Sequence, residues 1–172
     1  MPEAIRWTVF LDRDGVLNRK RAEGDYVKTW AEFDWLPGAL EAIARLHRAG
    51  ARVVIATNQQ GVAKGLIRAA DLEEIHARLR ADVERAGGRI GGVYVCPHLA
   101  GSCDCRKPAP GLFHQARRDM PQIDFGRSVV VGDSPRDIEA GRAIGSRTVQ
   151  VGGEASSLAD AVDRFVLPLL RS

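Results

Sequence analysis

Five short apolar runs alternate with stretches of helical period along this chain, and that alternation restricts the fold more than any other feature. The runs are Val9-Phe10-Leu11 and residues 52–56, 90–95, 128–131 and 147–151. They are continuous rather than alternating, as in strands covered on both faces, and too short for buried helices. Between them, Leu40, Ile43 and Leu46 recur at helical spacing after Pro37-Gly38. Leu72, Ile75, Leu79 and Val83 do so after Asp71, for which the spacing predicts an N-cap, with Glu74 completing a capping box. Residues 111–118 form a short helical pattern, Pro135 opens another to about Ala143, and Leu158, Val162, Phe165 and Leu169 mark a last one. His47, His76 and His114 fall inside these patterns and read as surface or packing residues. Strand–helix alternation specifies a parallel sheet with helices on both faces, a three-layer Rossmann-like α/β fold. One such domain accounts for residues 1–172.

Parallel strands present their C-terminal ends on one edge, where open α/β sheets bind ligands. Three of the runs end in polar residues: Asp12 and Asp14 with Gly15, then Thr57 and Asn58, then Gly132-Asp133. Residues i and i+2 of an extended chain share a side, so Asp12 and Asp14 converge. Two converging carboxylates repel unless a proton or cation lies between them. Asp-x-Asp-Gly alone fits an acidic turn as well as a Mg²⁺ site with a carboxylate nucleophile. Three acids, a hydroxyl and an amide at one edge make a hard-oxygen environment suited to Mg²⁺. Arg106-Lys107-Pro108 supplies the missing cation. Residues 19–35, polar and irregular around Tyr26, Trp30 and Phe33, form a flap; Trp30 and Trp35 are expected on the core rather than in the site.

A net charge of +3, with no Lys/Arg run or basic-aromatic stripe, argues against a nucleic-acid partner, while a mildly basic site suits a phosphorylated substrate. No apolar run is long enough to span a membrane, and Met-Pro-Glu-Ala-Ile-Arg leads into the first strand with no leader pattern. A cytoplasmic monomer is the expectation. All three cysteines lie between residues 96 and 105, as Cys96-Pro-His98 and Cys103-Asp-Cys105. Four ligands of mixed sulfur and nitrogen type fit a closed, structural Zn²⁺ site; reduced loop cysteines beside an incidental histidine are the alternative. Cys105 runs directly into Arg106-Lys107, so a pinned loop would fix that cation.

Phe10-Leu-Asp-Arg-Asp-Gly15, Ala56-Thr-Asn58, Lys107 and Gly132-Asp133 with Asp137 resemble, in order, the four motifs of the haloacid dehalogenase (HAD) superfamily. The resemblance covers nearly the whole chain and implies a Mg²⁺-dependent phosphatase. Asp12 would be the nucleophile and Asp14 the acid and then the base. Mg²⁺ would be held by the Asp12 carboxylate, the Asp14 backbone carbonyl and Asp133. Thr57 and Asn58 would hold phosphoryl oxygens, with Lys107 balancing their charge. Asp137 would be either a metal contact or an acid of the helix first turn. With no insertion long enough for a lid, the fold would be capless, and selectivity would fall to Tyr26, the Gln59-Gln60 turn and Arg106, whose guanidinium suits a second phosphate. The Cys-x-His…Cys-x-Cys-Arg-Lys-Pro run resembles the branch containing heptose bisphosphate and histidinol-phosphate phosphatases. The flap and residues 58–65 favour the heptose side; the short loop from His98 to Cys103 and Ser134 depart from it. A phosphorylated sugar is thus the expected substrate. Histidinol-phosphate hydrolysis and non-catalytic phosphosugar binding are the alternatives.

Overall fold

Alternate residues of a strand face opposite sides, and the buried strands here split their side chains between two separate cores. The chain, a computed structural model describing Ile5 and residues 7–172, has five parallel strands: β1 (Thr8–Leu11), β2 (Arg52–Asn58), β3 (Gly92–Cys96), β4 (Ser128–Gly132) and β5 (Arg147–Gln150), in the order β3-β2-β1-β4-β5. The expectation about a leader falls on residues lying mostly outside that range. Val9, Leu11, Val53, Ile55, Val129 and Val131 face one layer, built from α1 (Ala39–Arg48), α2 (Ala69–Arg85) and the C-terminal helix. Phe10, Val54, Ala56 and Val130 face the other, built from α3 (Gly111–Asp119) and α4 (Pro135–Ala143). Among the described residues no helix is long and apolar enough to cross a membrane.

Several boundaries move for physical reasons. β2 continues to Asn58 because Thr57 and Asn58 still pair with Val95 and Cys96. β3 starts at Gly92 rather than at residue 90. The capping box expected at Asp71 does not form. α2 starts three residues earlier, on two good helix formers, Ala69 and Ala70, with Arg68 as N-cap. Asp71 then lies in the first turn, where its charge complements the helix dipole, and Glu74 pairs with Arg78 at 2.9 Å. The C-terminal helix is interrupted: α5 (Leu158–Ala161) and α6 (Leu167–Leu170) flank a π turn, Val162–Val166. Pro168 has no N–H for the α ladder, and the wider turn accommodates it. The buried stripe becomes Leu158, Ala161, Val162, Val166 and Leu167, with Phe165 and Leu169 only partly covered.

The flap contains one 3-10 turn, Trp30–Glu32. Trp30 stacks on Phe33, Phe33 meets Trp35 edge-on, and all three pack on the first core, as expected for Trp30 and Trp35. The Trp35 indole N–H donates to Asp82 of α2 at 2.8 Å. The flap is therefore anchored by its second half, and its first half, with Tyr26, borders the cleft.

Candidate active site

β1 lies between β2 and β4, so the chain reverses its winding direction beside it, and a crevice opens at the carboxyl ends of these strands. Asp12 follows β1 there, tied to β4 by its N–H to the Val131 carbonyl at 3.0 Å. Gly15 turns the chain away with φ +86, and a Cβ at that position would collide with the Asp133 carboxylate. Glycine is required twice over: for the left-handed backbone and for the approach of Asp133.

Lys107 is the charge centre. Its buried ammonium reaches the Ala56 carbonyl at 2.7 Å, Asp137 at 2.6 Å and Asp12 at 3.1 Å, one acceptor for each N–H. Asn58 holds its backbone from both sides: the amide Nδ2 donates to the Lys107 carbonyl at 3.1 Å and Oδ1 accepts the Lys107 N–H at 3.0 Å. Burial works against the charged ammonium, but Asp12 and Asp137 outweigh it and raise its pKa. On Asp12, Oδ1 accepts both the Arg13 N–H at 2.9 Å and Lys107, which leaves Oδ2 for the cleft. Burial, opposed by Lys107 but reinforced by Asp137, Asp14 and Asp133, pushes the Asp12 carboxyl up to about 7.

Asp137 closes the capping box of α4. Its Oδ2 accepts the Ser134 N–H at 3.1 Å, and the Ser134 hydroxyl accepts from Arg136. Its other oxygen carries the Lys107 pair, so the acid of the helix first turn also reaches the cation of the site. One carboxylate oxygen each from Asp12, Asp133 and Asp137 lies within 4.8 Å of the others. Asp133 Oδ1 is buried with no hydrogen-bond partner, while Oδ2 meets Lys20 of the flap at 3.2 Å. A buried, unpartnered carboxylate oxygen facing two further carboxylates is the donor set of a hard divalent cation.

The second cluster brings Cys96, His98, Cys103 and Cys105 together, one ligand atom each, within 4.8 Å. His98 Nδ1 is 3.6 Å from the Cys96 sulfur and 3.2 Å from that of Cys105. Burial and neighbouring sulfurs raise the Cys105 thiol, burial raises Cys96, and Cys103 is lowered to about 6, its nearby N–H donors overriding desolvation. Thiols this close cannot all ionise without a cation, and three sulfurs with one imidazole nitrogen match Zn²⁺ chemistry.

The HAD-hydrolase-like family model matches residues 104–167. Over 163 residues, 91% of this chain and 85% of the relative, the chain is 44% identical to D-glycero-alpha-D-manno-heptose-1,7-bisphosphate 7-phosphatase of Mycobacterium bovis. The chain belongs to the HAD superfamily. It is 45% identical over 147 residues to the D-glycero-beta-D-manno-heptose-1,7-bisphosphate 7-phosphatase of Pseudomonas aeruginosa, covering 85% of this chain and 81% of that one. Its fold matches the crystal structure of the D,D-heptose 1,7-bisphosphate phosphatase from B. bronchiseptica complexed with magnesium and phosphate, with TM-score 0.79, 32% identity and coverage of 94% and 99%. This HAD member is accordingly a phosphatase, a phosphoric monoester hydrolase.

The HAD cleft, about 660 Å³, has Asp12, Asp14, Asn58, Lys107, Asp133 and Asp137 in its lining and Tyr26, Gln60, Lys64, Arg106 and Arg136 around them. Two expected residues are not in its lining. Gln59 is buried and does not line the cleft; its Nε2 donates to Asp14 Oδ2 at 2.8 Å and to Thr57 Oγ1 at 2.9 Å. Thr57 is buried too; accepting from Gln59 leaves its hydroxyl hydrogen free to donate. The sulfur loop joins the Gln59-Gln60 turn through the Ala100 N–H to Gln60 Oε1 at 2.8 Å and the Gln59 N–H to the Cys96 carbonyl at 2.8 Å.

Sequence reasoning assigned no site role to Arg13 and Asn18 and read His76 as a surface or packing residue. Arg13 is fully buried and binds Asp14 Oδ1 through Nη2 at 2.9 Å. The Asn18 amide donates to the same oxygen at 2.9 Å. Burial works to raise the Asp14 carboxyl, but Arg13, Asn18 and Gln59 hold it below the ordinary range. The available signal was His76: it shares the apolar stripe of α2, four residues after Leu72 and seven before Val83. A polar residue in such a stripe needs a buried partner.

Proposed function

We propose that this HAD phosphatase hydrolyses the 7-phosphate of D-glycero-D-manno-heptose 1,7-bisphosphate, leaving the 1-phosphate, as a one-domain monomer of the cytoplasm. The observation that carries the reading is the nucleophile geometry. Asp12 has one oxygen fixed by Lys107 and the Arg13 N–H and the other unpartnered toward the cleft, in a chain 44% identical to a heptose bisphosphate 7-phosphatase.

The substrate phosphate lies over Asp12, with Lys107 and the Thr57 hydroxyl supporting its oxygens. Asn58 acts by clamping the Lys107 backbone. Asp12 Oδ2 forms the new O–P bond, the P–O bond to the sugar breaks, and Asp14 gives its proton to the leaving oxygen. A bound phosphate dianion raises the proton affinity of Asp14, which otherwise rests ionised. Asp14 then takes a proton from the water that hydrolyses the aspartyl-phosphate. The carboxylates of Asp12 and Asp133 with the Asp14 carbonyl would hold Mg²⁺, which supplies positive charge to the transferring phosphoryl group. Asp137 is committed to Lys107 and Ser134 and supports this set. Cys96, His98, Cys103 and Cys105 would hold a structural Zn²⁺. Arg106, with Tyr26 and Gln60 nearby, faces the part of the cleft left for the rest of the substrate, and a guanidinium there suits the second phosphate.

The test is a panel of phosphate esters with Mg²⁺: both anomers of heptose 1,7-bisphosphate, fructose bisphosphates and histidinol phosphate. The expected outcome is the highest kcat/KM on a heptose bisphosphate, with Asp12→Asn inactive but folded. A preference for histidinol phosphate, or turnover by Asp12→Asn, overturns the reading.

A further inference from the structure

Arg13 is the largest fully buried side chain among the described residues, and its guanidinium lies between the Asp14 carboxylate and the His76 imidazole. Its donors are distributed with a clear asymmetry. Nε at 3.3 Å and Nη2 at 2.9 Å both reach Asp14 Oδ1, which also takes the Asn18 amide at 2.9 Å. Asp14 Oδ2 takes only the Gln59 amide, at 2.8 Å. Behind the guanidinium, Nη1 lies 3.2 Å from His76 Nε2, from α2. A guanidinium has no acceptor, so His76 Nε2 must accept and the imidazole must be neutral with its proton on Nδ1. Burial, followed by Arg13 itself, lowers the His76 pKa to about 3, in keeping with a ring that stays neutral.

We infer that His76 and Arg13 form a buried positioning pair that fixes which oxygen of Asp14 carries the catalytic proton. Three donors fill Oδ1, which leaves no lone pair there for a proton. Oδ2, with a single donor, is the oxygen that can carry it. The pair thus locks Asp14 with Oδ1 inward as the acceptor and Oδ2 as the acid toward the leaving oxygen. His76 does so through Arg13 without touching the substrate. The inference rests on the proposed role of Asp14 but not on the identity of the sugar. In the step concerned, the Asp12 O–P bond forms, the P–O bond to the leaving group breaks, its electron pair stays on the leaving oxygen, and the Oδ2 proton is transferred to that oxygen.

A positioned acid matters for an alkoxide leaving group and little for p-nitrophenolate, which departs without a proton. In His76→Leu, kcat/KM for an alkyl phosphate that the wild type hydrolyses should fall by about tenfold or more, part of the 10²–10⁴-fold effect of a general acid. For p-nitrophenyl phosphate the fall should be no more than about threefold. His76→Gln, whose side-chain oxygen can accept from Arg13, should recover most of the loss. Equal losses on both substrates, or no recovery with Gln, would reduce the pair to packing and overturn the inference. Because any turned-over alkyl phosphate serves, failure of the heptose assignment is a separate result. If His76→Leu does not fold, ¹⁵N NMR of the wild-type histidine at pH 7 decides: an Nδ1–H neutral ring is expected, and an Nε2–H or doubly protonated ring overturns the inference.

Discussion

Asp12 is held between one cation and three carboxylates, and its titration follows from that arrangement. Its ordinary value is 3.8, and in the folded, metal-free protein it is pushed up to about 7. Between these values the folded chain keeps a proton that the unfolded chain has released, so this group's contribution to stability falls as pH rises from about 4 to 7. A divalent cation must displace that proton. Mg²⁺ is therefore expected to bind more tightly with rising pH, roughly tenfold per unit between pH 5 and 7, and to raise the melting temperature more at pH 8 than at pH 5. Thermal scans with increasing Mg²⁺ at both pH values check this; an equal shift at the two would show that Asp12 is not a ligand. At this scale the acids were legible in the sequence because strand ends and i, i+2 spacing are local. Arg13 was not, because its partner His76 lies 63 residues away, on α2.

The loop from Pro97 to Pro110, which follows β3, has no regular structure, and what holds it is chemical. Among its ties are the clustered sulfurs, the Asn58 clamp on Lys107 and the Ala100–Gln60 bond. Purified protein should carry about one Zn²⁺ per chain, and stripping it should free Lys107 and Arg106 before the sheet unfolds. The expected kinetic consequence is a several-fold rise in KM while far-ultraviolet circular dichroism stays unchanged. Metal analysis finding no zinc, with all three thiols reacting freely in the native protein, would rule the site out. The elements themselves were well announced by periodicity, and the misses are ends and interruptions. α2 starts early because Ala69-Ala70 favour helix over the cap offered by Asp71. The last helix widens into a π turn ahead of Pro168.

For the whole molecule, the two cores lie on opposite faces of the sheet, so a residue of the central strand tests one face by itself. Phe10 of β1 is buried, with its ring edge-on to Phe113 at 4.9 Å and 6.4 Å from Phe125. Phe10→Ala should cost about 3–5 kcal/mol, and at roughly 2–4 °C per kcal/mol for a chain this size the melting temperature should drop by roughly 6–20 °C. A drop of only a degree or two would show that the face toward α3 and α4 is loosely packed. The sequence by itself determined the layer order and the identity of most strand-end groups. Apolar runs and helical period are set by which faces meet water, and parallel strands leave their ends on one edge whatever else happens. Tertiary structure decided the orientation of each group at that edge. Gln59 turned inward to hold Asp14 and Thr57, Asn58 became a clamp on Lys107, and Asp137 joined a helix cap to the buried Lys107 ammonium. These outcomes follow from satisfying every buried donor and acceptor at once, a condition that involves residues far apart in the chain and so has no local signature.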